Sequence, residues 1–159
     1  MNSFPSDQSY SDSDYWLPKT RFGPSAVSIA DPPTLLVVDD DPCFRELETR
    51  ALCAQGYKVL QADGAAEALR LAGATPTIHL LLTNFLLPDI NGLELAWQFR
   101  ALHPTTPVLM ISGALSLIQG RIPKLDRFAV LGKTSSFDEL LGKVHALLAE
   151  VSPLRLRTD

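Results

Sequence analysis

The stretch that decides the fold is Thr34-Leu35-Leu36-Val37-Val38-Asp39-Asp40-Asp41-Pro42. It consists of a short apolar run followed at once by three carboxylates and a proline. An apolar run without alternation is typical of a strand that is buried on both faces of a parallel sheet. Asp41 is suited to cap a helix that has Pro42 at its first position, where a missing N–H costs nothing. The stretch therefore predicts a central strand that leads directly into a helix.

The rest of the chain repeats this strand-and-helix pattern. Further strands are predicted at 58–62, 78–83, 107–111 and 128–131, and helices at 42–55, from 63 to about 73, from Asn91 onward and at 136–150. Asn91 with Glu94, and Ser136 with Glu139, have the spacing of capping boxes. The weakest segment is the fourth helix, between residues 113 and 126. The alternation predicts an α/β fold, a flavodoxin-like doubly wound five-stranded parallel sheet with helices on both faces.

Length and composition fit one domain. The 159 residues are 46% hydrophobic and 20% charged, with a net charge of -4 and a pI of about 5.3. We predict a disordered arm at 1–33, a domain at 34–150 and a short tail at 151–159. The acidic balance argues against a nucleic-acid partner. The arm lacks the apolar core of a signal peptide and no run is long enough to cross a bilayer, so we expect a cytoplasmic protein without membrane contact.

Polar side chains follow the predicted central strands at the points where these strands end: Asp39 and Asp40, then Asn84, Ser112 and Lys133. Because the carboxyl ends of parallel strands meet at one edge of a sheet, we expect these side chains to lie close together. Neighbouring carboxylates favour a hard cation such as Mg²⁺. A hydroxyl and an ammonium facing them suit a phosphoryl oxygen.

Four separated segments carry a resemblance to a known family. They are Val37–Pro42 (VVDDDP), Leu81–Leu95 (LLTNFLLPDINGLEL), Pro107–Gly113 (PVLMISG) and Gly132–Phe137 (GKTSSF). In this order and at these intervals they resemble the receiver domain of two-component response regulators, over about residues 34–149. The resemblance implies a stand-alone domain in phosphorelay signal transduction.

The resemblance also implies roles for individual residues. Asp39 and Asp40 match the acidic pair that holds Mg²⁺, and the backbone carbonyl of Leu86 matches a further metal ligand. Ser112 matches the switch hydroxyl that hydrogen-bonds the phosphoryl group. Lys133 matches the lysine that pairs with the phosphoryl oxygens.

Three positions depart from the family pattern. Asn84 stands where the family has its phosphoacceptor aspartate, and an amide cannot attack phosphorus as a carboxylate does. We therefore expect no catalytic residue, no enzyme activity and only weak Mg²⁺ binding. Thr134 replaces a proline, so the Lys133–Thr134 bond is predicted to be trans. Val130 replaces the aromatic switch residue. These changes favour a pseudo-receiver that acts by protein–protein interaction without aspartate phosphorylation.

One alternative keeps phosphorylation. In it the protein is a phosphoryl-accepting, Mg²⁺-dependent receiver, and Asn84 is an engineered replacement of the acceptor aspartate. In a further version of this alternative, another carboxylate accepts the phosphoryl group. Asp89 is the nearest candidate, but it lies beyond Pro88 and is poorly placed.

Two other classes of protein fit less well. A flavin-binding flavodoxin has the same architecture, but Asp39–Asp41 would repel its phosphate. A hydrolase would need a base beside Ser112, and no histidine stands at an evident spacing from it. We expect structural or surface positions for all three histidines, His79, His103 and His145.

The expected partners are a histidine kinase or another two-component signalling protein. A homodimer through the fourth helix, fifth strand and fifth helix is a further expectation. Apolar residues cluster in that region and fit either a partner surface or a packed fourth helix: Leu115, Leu117, Ile118, Ile122 and Leu125.

Three other side chains are assigned to packing. Cys43 and Cys53 lie roughly 15 Å apart along one predicted helix, so they cannot form a disulfide, and we expect buried, reduced thiols. Trp97 is expected to be a partly buried packing residue rather than a binding anchor.

Overall fold

The structure, a computed structural model, describes residues 31–118, 120–122 and 127–151. Five strands, β1 (Thr34–Val38), β2 (Lys58–Ala62), β3 (Leu80–Asn84), β4 (Val108–Ser112) and β5 (Phe128–Gly132), alternate with five helices, α1 (Pro42–Ala54), α2 (Ala65–Ala74), α3 (Gly92–Leu102), α4 (Leu115–Ile118) and α5 (Phe137–Val151). The predicted arm, apart from its last three residues, lies outside the described residues, and so does the predicted tail after residue 151. Within these ranges no helix is long and apolar enough to cross a membrane.

All five strands run parallel in one sheet with the order β2-β1-β3-β4-β5. The chain moves outward from β1 to β2 and then returns to place β3 on the other side of β1. This reversal is a topological switch point, and it opens a crevice at the carboxyl ends of β1 and β3. The predicted doubly wound, flavodoxin-like sheet is confirmed.

Helices cover both faces of the sheet, which explains the unbroken apolar run of β1. Leu35 and Val37 point into the core that α1 and α5 share with the sheet, whereas Leu36 and Val38 point into the core under α2 and α3. All four side chains are buried. Each contributes about 1.5–3 kcal/mol by leaving water. β1 is thus fixed from both sides, and its carboxyl end is a rigid platform.

Helix α1 begins and ends as the sequence predicts. The side chain of Asp41 accepts hydrogen bonds from the backbone N–H groups of Cys43 (2.9 Å) and Phe44 (3.3 Å). Gly56 follows the helix with a φ of 90°, a left-handed conformation that glycine adopts without a steric penalty.

The predicted capping interactions of two later helices are present. The side chain of Asn91 accepts from the backbone N–H of Glu94 at 2.9 Å. Ser136 and Glu139 form a reciprocal capping box, with both hydrogen bonds at 3.2 Å. These caps fix the points at which α3 and α5 leave the site edge.

Strand β3 and helix α4 differ in extent from the predicted segments. β3 begins two residues later than predicted, and the carbonyl of Ile78 just before it accepts from the hydroxyl of Thr106 (2.7 Å). It continues to Asn84, so this side chain stands on the last residue of the strand. Within the described part of the chain, helix α4 comprises the four residues Leu115–Ile118, in line with the prediction that it is the weakest element.

The predicted burial of both thiols is wrong. Cys43 and Cys53 are free, as expected, but both are exposed. They lie on the outer side of α1, whose buried residues are Glu48 and Leu52. Trp97 exposes 49% of its surface, so it contributes only partly to packing.

Candidate functional site

The carboxyl edge of the sheet carries the polar residues that the sequence indicates. Asp39 and Asp40 follow β1, and Asn84 and Ser112 are the last residues of β3 and β4. Lys133 follows β5, and its backbone N–H donates to the carbonyl of Ser112 at 2.9 Å. Contacts join Lys133 to Asp39, and Asn84 to Asp40.

Asp39 is the buried carboxylate of the site, with 1% of its surface exposed. One oxygen, Oδ1, accepts from the backbone N–H of Asp41 at 2.9 Å. The other, Oδ2, lies 3.0 Å from Lys133 Nζ. The backbone carbonyl of Asp39 accepts from Arg45 Nη1 at 2.6 Å. A buried carboxylate needs such compensation, and the Asp41 N–H and the lysine both stabilise it in this arrangement.

The ammonium of Lys133 has a second neighbour on helix α1. It lies 4.6 Å from the centre of the Phe44 ring, within the range of a cation–π interaction. The side chain of Lys133 is 24% exposed. The lysine is therefore held between β1 and α1.

The side chain of Asn84 is buried and acts as a donor. Its Nδ2 donates to the backbone carbonyl of Leu86 at 2.8 Å and to Asp40 Oδ1 at 3.4 Å. In the opposite orientation the amide oxygen would face two acceptors, which is unfavourable. The amide therefore presents its positive end to the oxygens of Asp40 and Leu86.

Ser112 is buried, and its hydroxyl is used locally. Its Oγ accepts from the backbone N–H of Ala114 at 3.0 Å, which fixes the turn after β4. Val130 on β5 pairs with Met110 on β4 and lines a groove with Leu115 of α4. The aliphatic side chain leaves Ser112 without an aromatic neighbour at this position of β5.

A family model, response regulator receiver domain, matches residues 35–145. The chain belongs to this family. It functions as a response-regulator receiver domain in two-component signalling, which confirms the family and fold predicted from the sequence. The receiver domain has no cis peptide bond among its described residues, so the prediction of a trans Lys133–Thr134 bond is confirmed.

Relatives and solved structures support the assignment. Response regulator MprA of Mycobacterium sp. (strain KMS) is 35% identical over 124 residues, which are 77% of this chain and 53% of that protein. The chain spans about half the length of the curated relatives it matches. The receiver domain of the hybrid histidine kinase CckA is 31% identical, with a TM-score of 0.64 and coverage of 72% and 98%. Response regulator TrrA of Thermotoga maritima, in complex with Mg²⁺-BeF, is 30% identical, with a TM-score of 0.65 and the same coverage.

Receiver domains typically bind Mg²⁺, and the residues here fit such an ion in part. Asp39 Oδ2 is buried and makes no aligned hydrogen bond, although Lys133 lies near it, so it retains capacity for a second positive partner. Asp40 supplies another carboxylate. However, the carbonyl of Leu86 and Asp40 Oδ1 both accept from Asn84. Among the described residues, no group of three or more His, Cys, Asp or Glu side chains is arranged to hold a metal.

Asp89 has a role that the sequence interpretation missed. Its oxygens accept from the backbone N–H groups of Ala65 (3.1 Å), Ala66 (2.9 Å) and Ile90 (3.0 Å). The Ala66 hydrogen bond contributes most to lowering the pKa of this carboxyl. Asp89 therefore caps α2 from the loop after β3, because Gly64 at the cap position has no side chain. The glycine at the cap position of α2 was the sequence feature that could have indicated a cap from elsewhere in the chain.

Glu48 was also missed. It lies in α1 one turn after Phe44 and one turn before Leu52, with 2% of its surface exposed. Burial raises its pKa to about 8, the charge of Asp39 adds to the rise, and Lys133 opposes it. The apolar spacing of residues 44, 48 and 52 indicates a core-facing position, and a glutamate there is unusual.

The histidines of the receiver domain lie away from the site edge and have structural partners, as expected. Each ring bonds to a neighbouring element: His79 Nδ1 with the N–H of Thr34 (3.0 Å), His103 Nε2 with the carbonyl of Ala72 (2.9 Å), and His145 Nδ1 with the hydroxyl of Tyr57 (3.0 Å).

Proposed function

We propose that this receiver domain is a pseudo-receiver, which signals by binding other proteins without aspartate phosphorylation. The observation that carries the proposal is the side chain at the end of β3. Asn84 Nδ2 donates to Leu86 and Asp40, so a hydrogen-bond donor stands where a nucleophilic oxygen is needed. An amide has no charge to drive attack on phosphorus. The domain would accordingly have no enzyme activity of its own.

The same substitution affects the metal. When bound, Mg²⁺ would neutralise the oxygens of the site and of an incoming phosphoryl group. We assign Asp39, Asp40 and the Leu86 carbonyl as its ligands. Binding would be weak, because Asn84 removes one negative charge and its N–H group competes for the oxygens of Asp40 and Leu86.

The coupling from the site to the outer surface would also be reduced. The Ser112 hydroxyl is engaged by Ala114, and Val130 offers no ring that could rotate in response to it. In this proposal Asn84 holds one conformation of the loop after β3. A partner then recognises that fixed shape rather than a phosphorylation-dependent one.

We propose that the partner is a histidine kinase or another two-component signalling protein, and that the domain works in the cytoplasm. We expect neither nucleic acid nor membrane as a partner. A homodimer would use the α4–β5–α5 face, where Leu115 and Val130 line a groove. Ile118 is buried, so it serves packing rather than contact, and the side chains of Leu117 and Leu125 lie outside the described residues.

A second candidate function is a phosphoryl-accepting receiver whose acceptor aspartate has been replaced by Asn84. The Asp39–Lys133 ion pair supports it, because it brings the proposed Mg²⁺ ligand next to the lysine proposed to pair with the phosphoryl oxygens. Asp89 does not supply the missing nucleophile in this version. Both of its oxygens already accept hydrogen bonds at the start of α2.

The deciding experiment is incubation with acetyl phosphate and Mg²⁺, followed by intact-mass measurement. The protein, Asn84→Asp and Asn91→Asp are compared, the last adding a carboxylate at the exposed cap of α3. We expect the unchanged protein and Asn91→Asp to stay unmodified, and Asn84→Asp to gain an acid-stable, base-labile phosphate. A phosphate on the unchanged protein would overturn the pseudo-receiver proposal. No phosphate on Asn84→Asp would remove the second candidate.

A further inference from the structure

Lys133 lies beside a face of helix α1 that carries both an aromatic ring and a carboxyl group. Its ammonium contacts Asp39 on one side and the Phe44 ring on the other. Glu48 follows Phe44 by four residues, so both side chains lie on the same face of the helix. The lysine therefore stands next to a buried carboxyl that the proposed signalling mechanism does not use.

A small cavity lies beside Glu48 and Lys133. Its volume is about 70 Å³, several times the roughly 10–15 Å³ that a cavity needs to hold one water molecule. Its walls come from α1, from the ends of β4 and β5, and from the start of α5: Phe44, Glu48, Ile111, Leu131, Gly132, Lys133, Ser135, Ser136, Phe137 and Leu140. The space is therefore large enough for a group of the size of an ammonium, which is similar to that of a water molecule.

We propose that Lys133 has two alternative carboxylate partners, Asp39 and Glu48, and that loss of the Glu48 proton draws the ammonium from Asp39 into the cavity. In the structure the lysine is with Asp39. The proton released by Glu48 passes to water, and no other covalent bond changes.

The charges around Glu48 support this exchange. Asp39 after β1 and Lys133 after β5 are the charged groups that act on it. Among the described residues that line the cavity, Glu48 and Lys133 are the only titratable ones; Ser135 and Ser136 before α5, and Phe137 and Leu140 on it, carry no charge. Burial raises the pKa of Glu48 to about 8. Below this pH it is a neutral acid, and above it a carboxylate that competes for Lys133.

The exchange has a path to the outside of the domain. Leu131, Gly132 and Ser135 line both the cavity and the groove on the α4–β5–α5 face. A shift of Lys133 moves the turn after β5, and with it the floor of that groove. This inference rests on the proposed function, in which the domain has no acceptor carboxylate. Its input would then be a change in proton concentration rather than a phosphoryl group.

The test is an NMR titration from about pH 6 to about pH 10 that follows the Glu48 carboxyl carbon and the backbone amides of residues 132–136. We expect the carboxyl to titrate with a midpoint of about 8, and the amides to shift with the same midpoint. Glu48→Gln should abolish the amide shift. Glu46→Gln, an exposed glutamate on the same helix, should leave it unchanged. Lys133→Met should raise the Glu48 midpoint, because the ammonium lowers it.

Two results would overturn the inference: a Glu48 midpoint near the ordinary glutamate value, or amide shifts that persist at the same midpoint in Glu48→Gln. If Glu48→Gln does not fold, Glu48→Leu supplies the same comparison with an apolar side chain. The titration needs no phosphodonor and no metal. Its failure is therefore distinguishable from phosphorylation of the unchanged protein, which would overturn the pseudo-receiver proposal alone.

Discussion

The side-chain amide of Asn84 donates to the backbone carbonyl of Leu86, 2.8 Å away, and so closes the loop after β3 onto the end of that strand. The same nitrogen lies 3.4 Å from Asp40 Oδ1. These are two of the oxygens that we propose as ligands of Mg²⁺. An amide N–H group between them supplies a positive end without a metal. We therefore expect the neutral residue at 84 to stabilise the acidic edge when no Mg²⁺ is bound.

This arrangement predicts the effect of Asn84→Asp on stability. The variant loses the donor and adds a negative charge beside Asp39 and Asp40, so the free energy of unfolding without metal should fall by about 1–3 kcal/mol. Millimolar Mg²⁺ should restore much of the loss, because binding to the folded state alone stabilises it. Urea unfolding with and without Mg²⁺ measures both effects.

Asn91→Asp is the matched control for that experiment. It makes the same chemical change at the cap of α3, where aspartate caps as well as asparagine does. Its stability should stay within about 0.5 kcal/mol of the unchanged protein and should not respond to Mg²⁺. Equal Mg²⁺ responses in the two variants would contradict the assignment of the site.

Glu48 predicts an unusual dependence of stability on pH. Its pKa is about 8 in the folded protein, against 4.5 ordinarily, so the folded state holds the proton more tightly. The protonated carboxyl therefore contributes to the free energy of unfolding fully below pH 4.5, and this contribution is lost as the pH rises toward 8. At about 1.4 kcal/mol per pKa unit, the loss is about 3–5 kcal/mol. Urea unfolding at a series of pH values measures the slope.

Glu48→Leu removes the titrating group while keeping an apolar contact in the core. We expect it to flatten the stability profile between pH 5 and pH 8. It should also be more stable than the unchanged protein at pH 8, since no charge is then buried. Glu46→Gln on the exposed side of α1 should keep the original slope. A slope unchanged in Glu48→Leu would mean that other groups cause it.

Asp89 predicts a local effect at the start of α2. Asp89→Ala removes the acceptor for three backbone N–H groups, and Gly64 cannot replace it. The variant should lose about 1–2 kcal/mol of stability. Amide hydrogen exchange at Ala65 and Ala66 should become faster. Asp63→Ala, at the exposed residue beside Gly64, is the control and should change neither quantity appreciably.

The edge of the sheet was predictable from the sequence because strand ends carry their own signals. Apolar runs locate β1, β3 and β4, and the polar residue that ends each run falls at the same edge of any parallel sheet. The cap of α1 by Asp41 was equally local, since it involves residues two and three positions away.

Interactions between distant segments were not predictable in this way. Asp89 caps a helix that begins 24 residues earlier, and nothing in its own neighbourhood indicates that. Glu48 is buried because α1 packs on the sheet near Lys133, which follows it by 85 positions. The spacing of Phe44 and Leu52 indicates the buried face of α1, but not which groups of the sheet meet that face. The predicted burial of Cys43 and Cys53 was wrong because both lie on the outer side of this helix.

The close approach of Gly92 to the end of β3 indicates that the loop between them is tightly packed. Its backbone N–H donates to the carbonyl of Phe85 at 2.7 Å, and a Cβ at this position would overlap the carbonyl oxygen of Asn84. Since that oxygen belongs to the backbone at the end of β3, it cannot move away freely. Gly92→Ala should therefore cost at least about 3 kcal/mol and displace the loop that carries Leu86.

Gly73→Ala is the matched control, because it adds the same methyl group at a position of α2 where the surrounding space is open. Nothing lies within 4 Å of the added Cβ, and the residue is inside α2. Alanine should stabilise the helix there by about 0.5–1 kcal/mol. Thermal unfolding of the two variants should thus shift in opposite directions. A Gly92→Ala protein as stable as the unchanged one would show that the end of β3 yields easily, and the loop could then not hold Asn84 and Leu86 in one fixed arrangement.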